Sequence, residues 1–289
     1  MTNERARRFV ASAWTVEYQE SRFPLSQKGW VLPAGNWEAF DPFLLMAEDW
    51  FKRGTFADHP HRGFQTVTYV VDGRLEHEDN AGGHDILEPG DVQYMKAGWT
   101  ARHAEEGVQN DIAHTLQLWV NLPAEKKQEA ETTYQNIYTE DAPTIDIEGG
   151  TVKVFAGDVA GHTGPMKAAV PITMTEITLK EGASYRHVLP ASHNAFAYVL
   201  RGDVTLGEGD SARQLQKHDA ALTGVEEEGG GESELLITSN HRRTKVLVYS
   251  GEPIGESVAA RGPFVMNTDD EINQAFHDFQ AGKFGPPSQ

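Results

Sequence analysis

Apolar and polar residues alternate along this chain in short runs that Gly, Asp and Pro keep interrupting. Residues 65–71 (QTVTYVV) are β-branched and aromatic, and Asp72-Gly73 follows at once. Asp-Gly between two such runs marks a hairpin, because both turn positions tolerate positive φ, so residues 74–79 form the returning strand. Residues 80–83 and Pro89-Gly90-Asp91 mark further turns, and residues 92–95, 101–105 and 115–122 further strands. Strands this short and this regularly spaced predict an antiparallel barrel or jelly roll. A second set occupies residues 151–156, 172–179, 195–200, 204–206, 234–238 and 245–249. Tyr69-Val-Val-Asp-Gly73 matches Tyr198-Val-Leu-Arg-Gly202, which points to two copies of one β fold. The expected domains are 1–135 and 136–289, joined through a polar connection near 126–150. Residues 226–232 (EEEGGGE) read as a solvated loop. One helix closes the chain. Thr268 and Glu271 form a capping box, and Ile272, Ala275, Phe276 and Phe279 lie on one face. Gly282 ends it. This helix is expected to pack on a sheet and carry no chemistry.

Length and composition narrow the function classes. With 289 residues, the chain is long enough for two cores that need no covalent staples. It contains no cysteine, which excludes disulfides, thiolate metal sites and a cysteine nucleophile. A formal charge of −18 argues against a direct grip on nucleic acid or an anionic membrane. No apolar run approaches the ~20 residues of a transmembrane helix, and the first residues lack the apolar core of a secretory signal. A cytoplasmic protein with no membrane partner is expected.

The chemistry concentrates in two short motifs. In His59-Pro60-His61, two imidazoles two residues apart point to the same side of extended backbone, and Pro60 favours that extension before it. His103-Ala104-Glu105 repeats the spacing on a predicted strand. Two such strands facing across a small barrel bring three imidazoles and one carboxylate to one point. Three nitrogens and one oxygen suit iron, manganese, copper, nickel or zinc rather than calcium or magnesium. An octahedral ion there keeps two positions open for substrate or dioxygen.

These motifs extend into a longer pattern. His59-Pro-His-Arg-Gly-Phe64, Gly90-Asp91, Gln93, Met95, Ala97-Gly98 and His103-Ala-Glu105 resemble the metal-binding half of the pirin family. Leu116-Gln-Leu-Trp-Val-Asn-Leu-Pro123, Gly251-Glu-Pro-Ile-Gly-Glu256 and Arg261-Gly-Pro-Phe-Val-Met-Asn-Thr268 continue the resemblance over nearly the whole chain. It implies an all-β bicupin, two tandem antiparallel jelly-roll barrels. It also implies one metal, most often Fe(II), in the N-terminal cupin on His59, His61, His103 and Glu105. The implied activity is that of a quercetin 2,3-dioxygenase, acting on a flavonol or related phenol with O2, with Glu105 as general base. The alternative it carries is a non-catalytic iron-dependent redox sensor that binds a protein partner.

Aligning Gly73 with Gly202 puts Val188 and Pro190 where His59 and His61 stand, so no metal is expected in the C-terminal domain. The chain departs from the family around the third histidine. Ala101, two residues before His103, is expected to share the inward face and widen the pocket, while Arg102 faces away. Tyr94 stands where a tryptophan is common. Asp58, Asp79 and Asp91 are candidates to hold the histidines' second nitrogens, a role carbonyls also fill. His77 and Gln65 are candidates for the pocket wall, whereas His84 and His114 read as structural or exposed.

Overall fold

The computed structural model describes residues 5–22, 25–129, 131–226 and 231–288. The predicted loop at residues 226–232 falls largely outside these.

The chain folds into two compact β units, and they are discontinuous in sequence. One comprises Glu17–Thr139 with Ile254–Gln289, the other Met1–Val16 with Glu140–Pro253. The expected division at 135/136 is therefore corrected: the cut falls after Thr139, and both chain ends change sides.

The repeat explains why. In the first unit the strand Phe64–Asp72 pairs with Val92–Lys96 and with Ala113–Asn121, which pairs in turn with Phe43–Phe51. A second sheet runs Phe56–His61, Ala101–Gly107, Leu75–Asp79, His84–Leu87. In the second unit Asn194–Arg201 pairs with Asp219–Val225 and with Arg243–Gly251, which pairs with Ile172–Lys180. Its other strands follow the same plan, Ser184–Pro190 beside Glu232–Ser239, then Asp203–Leu206 and Arg213–Gln216. Strand for strand, both units are cupin-type double sheets.

They differ at one edge. Val92–Lys96 receives Thr133–Ile137 from just downstream, but the equivalent Asp219–Val225 receives the N-terminal strand Ala6–Thr15. That strand also makes a parallel contact, Ala6 opposite Ser233, an exception to the antiparallel plan. It is anchored by Arg8, which is buried and donates to Ser233 Oγ at 2.7 Å and Pro190 O at 2.7 Å. The segment after Gly251, which has no edge left to fill there, instead forms Ala259–Arg261, Phe264–Met266 and the helix Asp269–Gln280 of the first unit.

The turn glycines carry the repeat. Gly73 and Gly202 have φ of 69° and 74°. A Cβ at Gly73 would meet Ile112 O at 2.1 Å, so only glycine closes that hairpin. The C-terminal helix begins with the expected capping box. Its Ile272 and Ala275 pack with Phe264, Met266 and Phe284. The segment read as a polar connection carries strands of its own. It holds Thr133–Ile137, Thr144–Ile147 and a buried Lys127.

Candidate metal centre

The two histidine motifs meet across one pair of strands. His103 on Ala101–Gly107 lies opposite His59, and Ala101 lies opposite His61. The ligand nitrogens of His59, His61 and His103 all lie within 4.8 Å of one another. Their ring centroids are 4.6 to 5.0 Å apart. The register then shifts, so that Glu105 faces Phe56 rather than Ala57. Such a bulge re-aims neighbouring side chains. The carboxylate of Glu105 lies outside the tight group of imidazole nitrogens. It accepts from Gln117 Nε2 at 2.7 Å and Thr68 Oγ1 at 3.3 Å.

Hydrogen bonds to backbone carbonyls orient two of the imidazoles. His59 Nδ1 donates to Ala57 O at 2.9 Å and His61 Nδ1 to Pro263 O at 3.4 Å, which leaves each Nε2 lone pair free. His61 Nε2 and both nitrogens of His103 are buried without a hydrogen-bond partner. Burial, then the neighbouring imidazoles, holds His61 and His103 well below the usual histidine pKa. Orphaned, neutral, converging nitrogens are costly unless something accepts their lone pairs. The donor set fits one borderline divalent ion.

His59, His61 and Glu105 line a cavity of about 630 Å³. Its walls are mainly apolar and include Trp30, Trp37, Phe51 and Trp119. His103 does not reach this cavity.

The structure redistributes several expected roles. The second nitrogens of His59 and His61 meet backbone carbonyls, not Asp58, Asp79 or Asp91. Asp58 instead pairs with Arg102, which faces away from the histidines as expected. Asp91 accepts from Glu88 N and Thr139 N, each at 2.8 Å. Asp79 accepts from Ala81 N and, at 3.4 Å, from His77 Nε2. His77 is buried beside His103, and Gln65 accepts from Tyr94 Oη at 2.7 Å; neither lines the cavity. Ala101 packs with Met95 and Ala97 and does not widen the cavity. His114 stacks on Trp50, and His84 is exposed against Glu76. Among the described residues, Glu76, Glu78 and His84 form a second, more exposed group of ligand type.

Sequence comparison fits the same frame. The family model "Pirin" matches residues 32–120, and "Pirin C-terminal cupin domain" matches residues 174–285. Human "Pirin" is 38% identical over 85% of this chain and 83% of its own length. The chain belongs to the pirin family. A solved Geobacillus kaustophilus protein is 40% identical, with a TM-score of 0.83 over 88% of this chain and all of its own. A crystal structure described as quercetin 2,3-dioxygenase from Acinetobacter baumannii is 30% identical, with a TM-score of 0.81 over 97% of this chain and 99% of its own.

Within this pirin-family site, two supports escaped sequence reading. Arg62, next to His61, is fully buried, donates to Asp278 Oδ2 at 2.9 Å and to Trp99 O at 2.6 Å, and lies 3.9 Å over the Trp99 ring. The C-terminal helix, expected to carry no chemistry, thus supplies the counter-charge beside a candidate ligand. Burial raises the Asp278 pKa, but hydrogen bonds from Lys283, Arg62 and Gln274 outweigh it and hold the carboxylate well below its usual range. Lys127 is the other support. Its Nζ donates to Gly63 O at 2.8 Å, Val265 O at 3.2 Å and Asn121 Oδ1 at 2.6 Å. Burial lowers its pKa to about 7. A Cβ at Gly63 would sit 1.9 Å from Val265 O, which accounts for the glycine after the histidine motif. The long sequence separation between Arg62 and Asp278, and between Lys127 and Gly63 or Val265, hid these contacts.

Proposed function

We propose that the first cupin unit is a metal-dependent dioxygenase site of the quercetin 2,3-dioxygenase type. In this reading His59, His61, His103 and Glu105 hold one divalent ion, with Fe(II) favoured and zinc, manganese, nickel or copper as alternatives. The observation that carries the reading is that His59, His61 and Glu105 face one largely apolar cavity of about 630 Å³. Such a cavity suits a flat phenolic ligand. The 30% identical quercetin 2,3-dioxygenase structure supports the same choice.

When bound, the ion supplies Lewis acidity and open coordination positions for O2 chemistry. The protein's own contribution is positional. Trp37, Leu45 and Trp119 flank the ligand's rings and exclude water. Glu105 takes the proton of the flavonol 3-hydroxyl as general base. Gln117 and Thr68, donating to its two oxygens, keep that carboxylate aimed. The overall reaction consumes one O2 per flavonol, opens the heterocyclic ring to an ester that retains both oxygen atoms, and releases carbon monoxide.

The test is oxygen uptake by Fe(II)-loaded protein with quercetin, against Glu105→Gln and His59→Ala. Uptake matched to flavonol loss, and abolished in both variants, is expected. Iron-loaded wild type that consumes no oxygen would overturn the enzymatic reading and favour the redox-sensing regulator.

A further inference from the structure

The cavity has a second polar end. On Ala113–Asn121 the residues Trp119, Gln117 and Thr115 face it in turn, and opposite them on Phe43–Phe51 stand Leu45, Ala47 and Asp49. This makes three rows, each two residues or about 7 Å beyond the last. The Trp119 row is next to the metal site, its ring 5.5 Å from His61. The Gln117 row holds Glu105. The third row is Thr115 and Asp49, continued by Lys28, which lies opposite Asp49 on the adjoining strand.

Asp49 is anomalous there. The residue is 5% exposed, and its Oδ1 is buried with no hydrogen-bond partner. Burial pushes its pKa up to about 6, with Glu105 and Glu48 adding to the shift and Lys28 opposing it. A carboxyl oxygen left unpaired in an apolar wall weakens the fold. A ligand hydroxyl donating to it would repair that deficit.

We propose that Asp49, flanked by Lys28 and Thr115, is a specificity-determining anchor for a hydroxyl on the far side of the ligand from the group that meets Glu105. The cavity thereby selects polyhydroxylated aromatic ligands over those with a single metal-directed hydroxyl. This inference rests on the phenolic reading of the near end. It adds that the two ends recognise different hydroxyls, one row spacing or more apart.

The test is ligand binding rather than turnover. Trp30, Trp37 and Trp119 line the cavity, so their fluorescence reports occupancy. Fe(II)-loaded wild type, Asp49→Leu and Asp49→Ala are titrated without oxygen with quercetin and with 3-hydroxyflavone, which lacks the remote hydroxyls. Thermal unfolding checks that each variant folds, and Asp49→Ala serves if the leucine is not accommodated. Wild type is expected to prefer quercetin. Both variants are expected to lose about 10–100-fold in quercetin affinity while 3-hydroxyflavone binding holds. Equal losses for the two ligands, or none for either, would overturn the anchor and leave the dioxygenase reading standing. Failure of wild type to bind either flavonol would overturn both.

Discussion

Removing the carboxylate of Asp278 isolates a charge in the interior beside the metal site. Arg62 is fully buried, and among the described residues Asp278 is the carboxylate it bonds. In Asp278→Ala the guanidinium keeps its bond to Trp99 O and its contacts with the Trp99 and Phe284 rings. Those contacts do not neutralise it. Breaking a buried pair by removing one partner costs about 3–5 kcal/mol. For a unit of this size, each kcal/mol moves Tm by about 2–4 °C, so the expected drop is roughly 6–20 °C. Differential scanning calorimetry at pH 7 reads it. The double variant Arg62→Met/Asp278→Ala removes the stranded charge and is expected to recover much of the loss. The pH dependence gives a second check. The folded pKa of Asp278 is depressed, so its stabilisation is present above the unfolded value near ~4 and is lost as pH falls through the folded one. The gap between wild type and Asp278→Ala therefore stays constant from neutral pH to about 5 and narrows in stronger acid. A Tm within about 2 °C of wild type at pH 7 would refute the reasoning, because it would mean the buried guanidinium needs no counter-charge.

Asp49 titrates in the opposite sense. Its folded pKa of about 6 lies above the unfolded value, so the native state holds the extra proton and stability falls as pH rises from about 4 to 6. Asp49→Asn is expected to remove up to about 3 kcal/mol of that fall; denaturant unfolding at pH 4 and 7 showing the same pH dependence in both proteins would contradict it. Gln117→Leu frees one oxygen of Glu105 and is expected to lower kcat about 10–100-fold with little change in metal content, read by oxygen uptake and iron analysis. Lys127→Met leaves Gly63 O and Val265 O unpaired and is expected to cost about 2–4 kcal/mol in denaturant unfolding; an unchanged midpoint would deny it a structural role.

The strands that bury β-branched residues between clear turns were legible in the sequence. Residues 65–71 and 195–200 lie within Phe64–Asp72 and Asn194–Arg201. Ala6–Thr15 was not. It buries Arg8 beside Val10, and its register slips between Val10 and Ser12, so its alternation is broken. The exchange of chain ends was hidden for the same reason, because only strand pairing reveals which unit an edge strand completes. His59 and His61 were legible because their spacing puts both on one face, and His103 because it opens a second motif of the same spacing. The position of Glu105 was not, since the bulge that re-aims it has no local signal. Asp49 reads in sequence as an ordinary acidic residue beside Glu48. Only the sheet register turns one of them into the cavity and the other toward His114.

The central claim is that His59, His61, His103 and Glu105 hold one ion. It is tested most directly by counting metal per chain in wild type, His103→Ala and a Glu76→Ala/His84→Ala variant after loading with Fe(II) and desalting. The account predicts one ion in wild type and in the Glu76/His84 variant, and none in folded His103→Ala. Full metal content in His103→Ala, or its loss on removing Glu76 and His84, would place the ion at the exposed group and contradict the account.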